Sequence, residues 1–100
     1  MKLVIELGPG AHEDFDDAIF WYEEQERGLG RKLIHAINEA LSRIQLSPFS
    51  FPVIHGMNVR RAVVGKFPFL IIFVPESERI FVYAVFHTCR NPIIWRGRID

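Results

Sequence analysis

The chain has 100 residues, of which 49% are hydrophobic and 13% aromatic. This length leaves room for one domain of ordinary size, which we expect to span residues 1–100. The high proportion of apolar residues favours a surface that a partner covers. The single Cys89 cannot form an intramolecular disulfide, and no stretch approaches the ~20 apolar residues of a membrane span. We therefore expect a cytoplasmic protein without a membrane partner.

The net charge is zero, but the charges are unevenly distributed along the chain. Residues 1–30 carry two basic and eight acidic residues, whereas residues 31–100 carry ten basic and four acidic ones. A small protein polarised in this way approaches charged partners in a preferred orientation. The alternative is an acidic, solvated helix face that balances scattered surface arginines.

The first half of the sequence predicts a strand and two helices. Residues 2–7 have strand character, and Gly8-Pro9-Gly10 ends the strand. A first helix with Gly10 as a tolerable N-cap follows, and a second helix runs over residues 29–46 after a glycine-containing turn. The first helix shows an apolar stripe formed by Ala11, Phe15, Ala18, Ile19 and Tyr22. The short turn between the helices predicts an antiparallel helical hairpin.

The second half predicts three strands, over residues 59–66, 69–74 and 79–87. Their short connections predict antiparallel neighbours. The expected fold is α+β with the order β-α-α-β-β-β, a helical hairpin packed on one face of a small, mostly antiparallel sheet. Residues 80–86 are apolar at every position. This strand is either covered on both faces or uses its second face for binding.

Candidate chemistry is concentrated where the last strand ends. The four histidines have no metal-ligand spacing, so we expect neither a metal nor a cofactor. RNA can be cleaved by attack of its own 2′-OH on the neighbouring phosphate. His87 would serve as the general base for this attack, and arginines such as Arg90 would stabilise the phosphorane. A structural role, with the histidine capping loop carbonyls and the arginine paired to an acid on the helices, remains the alternative.

Basic residues are also frequent in the strands and turns of the second half. Their guanidinium groups suit either a nucleic-acid backbone or an acidic protein segment, although any single one also fits a solvated surface position. Arg60 and Arg61 are adjacent, so they point to opposite faces of their strand. Of the two tryptophans, Trp21 is expected at least partly exposed, and Trp95 is expected to anchor the tail by packing on the sheet or a helix edge.

Several segments, taken in order, resemble the toxins of the RelE/ParE family. Residues 17–30 are similar to the family's helical hairpin, and Pro48 followed by Phe51-Pro52 fits the connection after it. Residues 59–61 and 66–69 resemble its first β-hairpin, and residues 84–87 with Arg90, Pro92 and Trp95 resemble its closing motif. The resemblance extends from about residue 11 to residue 96. It rests on the order of these segments along the chain rather than on any single motif.

The resemblance implies a β-α-α-β-β-β toxin that a cognate antitoxin wraps and neutralises. ParE-like members poison DNA gyrase by protein–protein contact, whereas RelE-like members cleave mRNA on the translating ribosome without a metal. The ribonucleases place an arginine in the middle strand, where this sequence has Leu70. They also commonly end in a helix bearing a catalytic Tyr or His, and residues 93–100 contain neither. Gly97 further disfavours a helix there.

The favoured hypothesis is therefore a ParE-like toxin that is not itself an enzyme and has no catalytic residues. One alternative is a ribosome-dependent endoribonuclease that uses Arg61, His87 and Arg90. A second is a non-toxic family member that retains only antitoxin binding. The residues expected to bind the target or the antitoxin are Arg60, Arg61, Lys66, Phe81, Tyr83, Arg90 and Trp95.

Overall fold

The computed structural model describes residues 3–99. The chain forms β1 (Val4–Leu7), α1 (Pro9–Gln25), α2 (Leu29–Leu46), a short 3-10 turn (Pro48–Ser50), β2 (Val53–His55), β3 (Val59–Val63), β4 (Phe69–Pro75), β5 (Arg79–His87) and α3 (Ile93–Ile99). This order confirms the predicted α+β fold with its helical hairpin, α1 and α2. No helix among residues 3–99 is long and apolar enough to cross a membrane.

The five strands form one mixed sheet in the order β1-β5-β4-β3-β2. β1 pairs with β5 in parallel, and every other pairing is antiparallel. A β-bulge interrupts β5, because Ile72 lies opposite Ala84 while Phe73 lies opposite Val82. Tyr83 is thus an extra residue, and the bulge changes which face the following side chains occupy.

Two apolar clusters lie on opposite faces of the sheet. The larger one lies beneath the α1–α2 hairpin and contains Leu33 and Ile37 of α2 with Ile71 and Phe73 of β4. The smaller one lies on the other face, which we call the distal face. It is formed by Val59, Ile72, Ala84, Phe86 and Trp95. The C-terminal part of β5, residues 84–86, is therefore buried on both sides, whereas Phe81 and Tyr83 nearer its start are half-exposed.

The C-terminal helix α3 forms although the sequence, with Gly97, disfavoured a helix there. The Asn91 Oδ1 atom accepts a hydrogen bond from the Ile93 N–H at 3.1 Å and supports the first turn. Trp95 then packs into the distal cluster. A glycine costs roughly 1 kcal/mol in a helix interior, and burial of one large aromatic side chain outweighs this cost.

The other differences between sequence and structure concern the ends of elements. The N-cap of α1 is Gly8 rather than Gly10, so the helix begins at Pro9. β3 ends at Val63, three residues earlier than predicted, because Gly65 in the following turn adopts a positive φ. The three-residue strand β2 was not predicted at all, since it is too short to show an alternating pattern.

The hairpin turn is held by the carboxylate of Glu23. It accepts hydrogen bonds from the N–H groups of Gly28, at 3.0 and 3.1 Å, and of Gly30, at 3.0 Å. Gly28 adopts a φ of +89°, which side chains other than glycine tolerate poorly. The carboxylate thus satisfies amides at the positive N-terminal end of α2. The hydrogen bond from Gly28, followed by that from Gly30, lowers the pKa of Glu23 below its ordinary value of 4.5.

This lowered pKa predicts an acid-sensitive contribution to stability. A carboxylate whose pKa is depressed by folding stabilises the protein above its unfolded-state pKa, and this contribution disappears as the pH falls through the folded-state pKa. Glu23→Gln is therefore expected to be less stable than the wild type at neutral pH, with the difference vanishing in acid. Urea unfolding at a series of pH values measures this difference. Glu24→Gln is the matched control, and a pH-independent difference for Glu23→Gln would contradict the prediction.

Candidate functional site

A groove of about 420 Å³ lies where β5 ends, between α1 and the segment that leads into α3. We call it the α1 groove. One wall comes from α1, and the rest comes from β4, the end of β5 and the segment after it. Its lining is mixed, with aromatic and aliphatic side chains beside both signs of charge: Asp14, Asp17, Ala18, Trp21, Tyr22, Phe69, Val85, Phe86, His87, Arg90 and Ile94.

His87, the last residue of β5, is held by two contacts. Its ring packs edge to face on Phe69, with ring centroids 5.1 Å apart. Its Nδ1 atom accepts a hydrogen bond from the Cys89 N–H at 3.1 Å. A neutral imidazole that accepts at Nδ1 carries its proton on Nε2. In this arrangement Nε2 is a donor, so His87 cannot act there as a general base without changing its tautomer.

Arg90 lies in the turn after β5, and its backbone N–H donates to the His87 carbonyl at 3.0 Å. The residue is exposed, and its guanidinium makes no ion pair or hydrogen bond with another side chain among residues 3–99. The sequence therefore placed His87 and Arg90 together correctly. The histidine, however, accepts from a backbone amide rather than capping carbonyls. No acid on the helices is paired with Arg90 within the described part of the chain.

Arg61 lies apart from this pair. In the sheet register it is opposite Ile72, which belongs to the distal cluster, whereas His87 is opposite Phe69, which belongs to the cluster beneath the hairpin. Residues directly opposite each other point to the same face. Arg61 and His87 therefore point to opposite faces of the sheet, and the three residues considered for ribonuclease chemistry do not converge.

Leu70 lies in the middle strand, at the position where the RelE-like ribonucleases have an arginine. It is half-buried and packs against the distal cluster beneath α3. Trp95, in the same cluster, is only 4% exposed. The distal face next to Leu70 is therefore apolar and covered.

An ion pair between the first and last helices fixes α3 in place. The guanidinium of Arg98 donates to both carboxylate oxygens of Asp14, at 2.7 and 3.1 Å, and to the Tyr83 carbonyl at 3.1 Å. Asp14 also accepts from the Val85 N–H at 3.1 Å. The hydrogen bond to Asp14 raises the pKa of Arg98, so its positive charge is retained.

The Asp14–Arg98 pair provides hydrogen-bond partners for backbone groups of β5 next to its bulge, the Val85 N–H and the Tyr83 carbonyl. β1 ends at Leu7, opposite Val82, so β5 has no strand beside it from Tyr83 onward on that side. A backbone polar group left without a partner would cost free energy. Asp14 and Arg98 supply the missing acceptor and donor. Sequence reasoning missed both residues, since nothing in the pattern links positions 84 residues apart.

The other predicted binding residues have varied surroundings. Arg60 donates to the carbonyls of Phe49 and Phe51, at 3.1 and 2.8 Å, so its guanidinium holds the turn before β2. Lys66 is exposed in the turn between β3 and β4. Phe81 and Tyr83 pack edge to face at 4.8 Å and are half-exposed near the β1 edge. Trp95 contributes to the core, as the sequence predicted, and Trp21 is 56% exposed, also as predicted.

Comparison with known proteins identifies the fold. No family model matches the chain, and no curated protein matches it significantly. Among solved structures, a chain from the chromosomal ParDE TA (toxin–antitoxin) system of P. aeruginosa matches with a TM-score of 0.74 and 16% identity, covering 86% of this chain and 96% of that one. The YoeB dimer from Staphylococcus aureus matches with a TM-score of 0.61 and 16% identity, covering 85% of this chain and 95% of that one.

These similarities extend over most of each chain, and at this level of identity they establish the fold. The chain adopts the fold of the RelE/ParE-type toxins, and the resemblance found in the sequence is confirmed at that level. Function is a separate question, since one fold supports different activities through different sites.

Proposed function

We propose that the chain is the toxin component of a toxin–antitoxin pair and that a cognate antitoxin neutralises it. The observation that carries this proposal is the match to the ParDE structure, which spans 86% of this chain. The polarised charge distribution supports a partner that binds in a fixed orientation. Arg61 on the distal side of the sheet, Lys66 in the turn between β3 and β4, and Arg90 in the α1 groove offer positive charge at separate places, and each is suited to an antitoxin segment that carries acidic and apolar residues.

We further propose that the toxin acts by contact with its target rather than by catalysis, with DNA gyrase as the first target to test. Three features support this. Arg61 points away from His87, the Nδ1 atom of His87 is occupied by an amide, and Leu70 stands where a ribonuclease would need a cation. A phosphoryl-transfer site without a positioned base and a central cation would be weak.

Ribosome-dependent mRNA cleavage is the second candidate. The observation in its favour is that His87 and Arg90 line one groove together with the aromatic side chains of Trp21 and Tyr22. Aromatic rings of this kind can stack on unpaired bases. A tautomer change at His87 would be required before it acted as a base.

Co-expression with the protein encoded in the neighbouring reading frame tests the toxin proposal. We expect the two proteins to co-purify, and we expect growth to stop when this chain is induced alone and to resume when the neighbour is induced as well. Calorimetry with the purified pair measures the affinity. Normal growth on induction, together with a chain that stays monomeric and does not bind its neighbour, would refute the proposal.

A further inference from the structure

One face of α1 is acidic, aromatic and uncovered, and we call it the acidic–aromatic face. At about 100° per residue, its members fall within about 140° of arc on the side of α1 opposite Ala11 and Ala18, which are buried. All of them are exposed: Glu13, Asp16, Asp17, Phe20, Trp21 and Glu24. Phe20 is 69% exposed, more than Trp21 at 56%.

The charges on this face are unbalanced. α1 contains six acidic residues and no lysine or arginine. Four of the acids belong to the acidic–aromatic face, and none of these four makes an ion pair or accepts a side-chain hydrogen bond from another part of residues 3–99. Glu13 lies three and four positions before Asp16 and Asp17, a spacing at which like charges destabilise a helix. Glu24, in the last turn, also opposes the helix dipole.

The two aromatic side chains lie between these acids. Neighbouring exposed aromatic residues commonly provide the main contacts of protein interfaces, and their rings also attract Arg and Lys side chains. Trp21 is held in position by an edge-to-face contact with Tyr22 at 5.0 Å between ring centroids. The face therefore combines apolar contact area with a negative potential around it.

We propose that the acidic–aromatic face docks a basic segment of a protein partner, with arginine or lysine residues spaced between apolar ones. Such a segment relieves the repulsion among the four carboxylates and covers Phe20 and Trp21 in a single contact. A nucleic acid does not fit, because its phosphates would meet the same carboxylates, and this repulsion also disfavours RNA in the α1 groove, which Asp17 and Trp21 line. An acidic segment does not fit either, so the occupant differs from the acidic segment proposed above for the antitoxin. The inference does not depend on the toxin activity.

A labelled helical peptide provides the probe, with arginine and leucine at positions that share one helix face. Its counterpart has glutamate in place of every arginine. Fluorescence anisotropy with the full-length chain is expected to show salt-sensitive binding of the arginine peptide and none of the glutamate peptide. The double variant Asp16→Lys/Asp17→Lys is expected to bind the arginine peptide at least about 10-fold more weakly.

Two further variants separate this contact from general charge attraction. Glu39→Lys/Glu78→Lys makes the same change in net charge on exposed residues outside α1, and its binding should stay within about twofold of wild type. Phe20→Ser should weaken binding at unchanged charge, with folding checked by circular dichroism. Asp16→Asn/Asp17→Asn serves if the lysine variant does not fold. Equal binding by the wild type and the α1 variants, or by the two peptides, would overturn the proposal.

Discussion

Replacing Trp95 with alanine is expected to lower the free energy of unfolding by about 3–5 kcal/mol, the usual cost of removing a buried large aromatic side chain. Trp95 is 4% exposed and belongs to the distal cluster with Val59, Ile72, Ala84 and Phe86. It also holds α3 against the sheet. In a domain of this size the loss corresponds to a fall in Tm of at least about 10 °C. Thermal and urea unfolding measure both quantities.

The other tryptophan provides a matched control. Trp21 is 56% exposed, and its described ring contact is with Tyr22. Trp21→Ala is therefore expected to change the stability by no more than about 1 kcal/mol. If Trp95→Ala unfolded at the same temperature as the wild type, α3 would not be packed on the sheet as described. If Trp21→Ala lost as much stability as Trp95→Ala, the difference in exposure between the two tryptophans would not determine the stability cost of replacing them.

The main elements of the fold were predictable because their patterns are local. The apolar stripe of α1 and the run over residues 29–46 have helical periodicity, and the β-branched and aromatic runs of the second half have strand character. The elements that were missed depend on distant contacts. α3 contains Gly97 and forms because Trp95 has a cluster to enter and Arg98 has Asp14 to bind.

The candidate site was only partly predictable for the same reason. His87 and Arg90 are close in sequence, so their common location at the end of β5 could be expected. The wall that faces them, with Asp17 and Trp21, comes from α1 and depends on how the hairpin lies on the sheet. The separation of Arg61 from His87 depends on strand register, which alternation within one strand does not reveal.

Substitutions at His87, Arg61 and Arg90 are expected to distinguish a contact poison from a ribonuclease. Removing a general base typically reduces a catalysed rate by about 10²- to 10⁴-fold. A protein–protein contact depends on shape and charge, so loss of one surface group weakens it by a smaller factor. We expect His87→Ala to leave toxicity largely intact, because the Nδ1 atom of this residue binds the Cys89 amide. Arg61→Glu and Arg90→Glu should each weaken toxicity.

The two arginines also report which surface is used, because Arg61 is on the distal side of the sheet and Arg90 lines the α1 groove. If only one charge reversal weakens toxicity, its surface binds the target. If the same reversal also weakens binding to the antitoxin, the two partners share that surface. Lys32→Glu is the matched control, since Lys32 is exposed on α2, which packs on the face opposite the distal one, and does not line the α1 groove, so we expect it to behave as wild type.

The decisive measurement follows the toxin after induction in cells, with DNA supercoiling and mRNA cleavage on translating ribosomes recorded separately. A contact poison of DNA gyrase should alter supercoiling and leave mRNA intact, and His87→Ala should alter supercoiling to the same extent. The physical reason is that an imidazole whose Nδ1 accepts an amide hydrogen bond carries its proton on Nε2, so neither ring nitrogen is free to accept a proton from the RNA 2′-OH. If ribosome-dependent cleavage occurs and disappears in His87→Ala, the contact hypothesis is wrong and the chain is a ribonuclease.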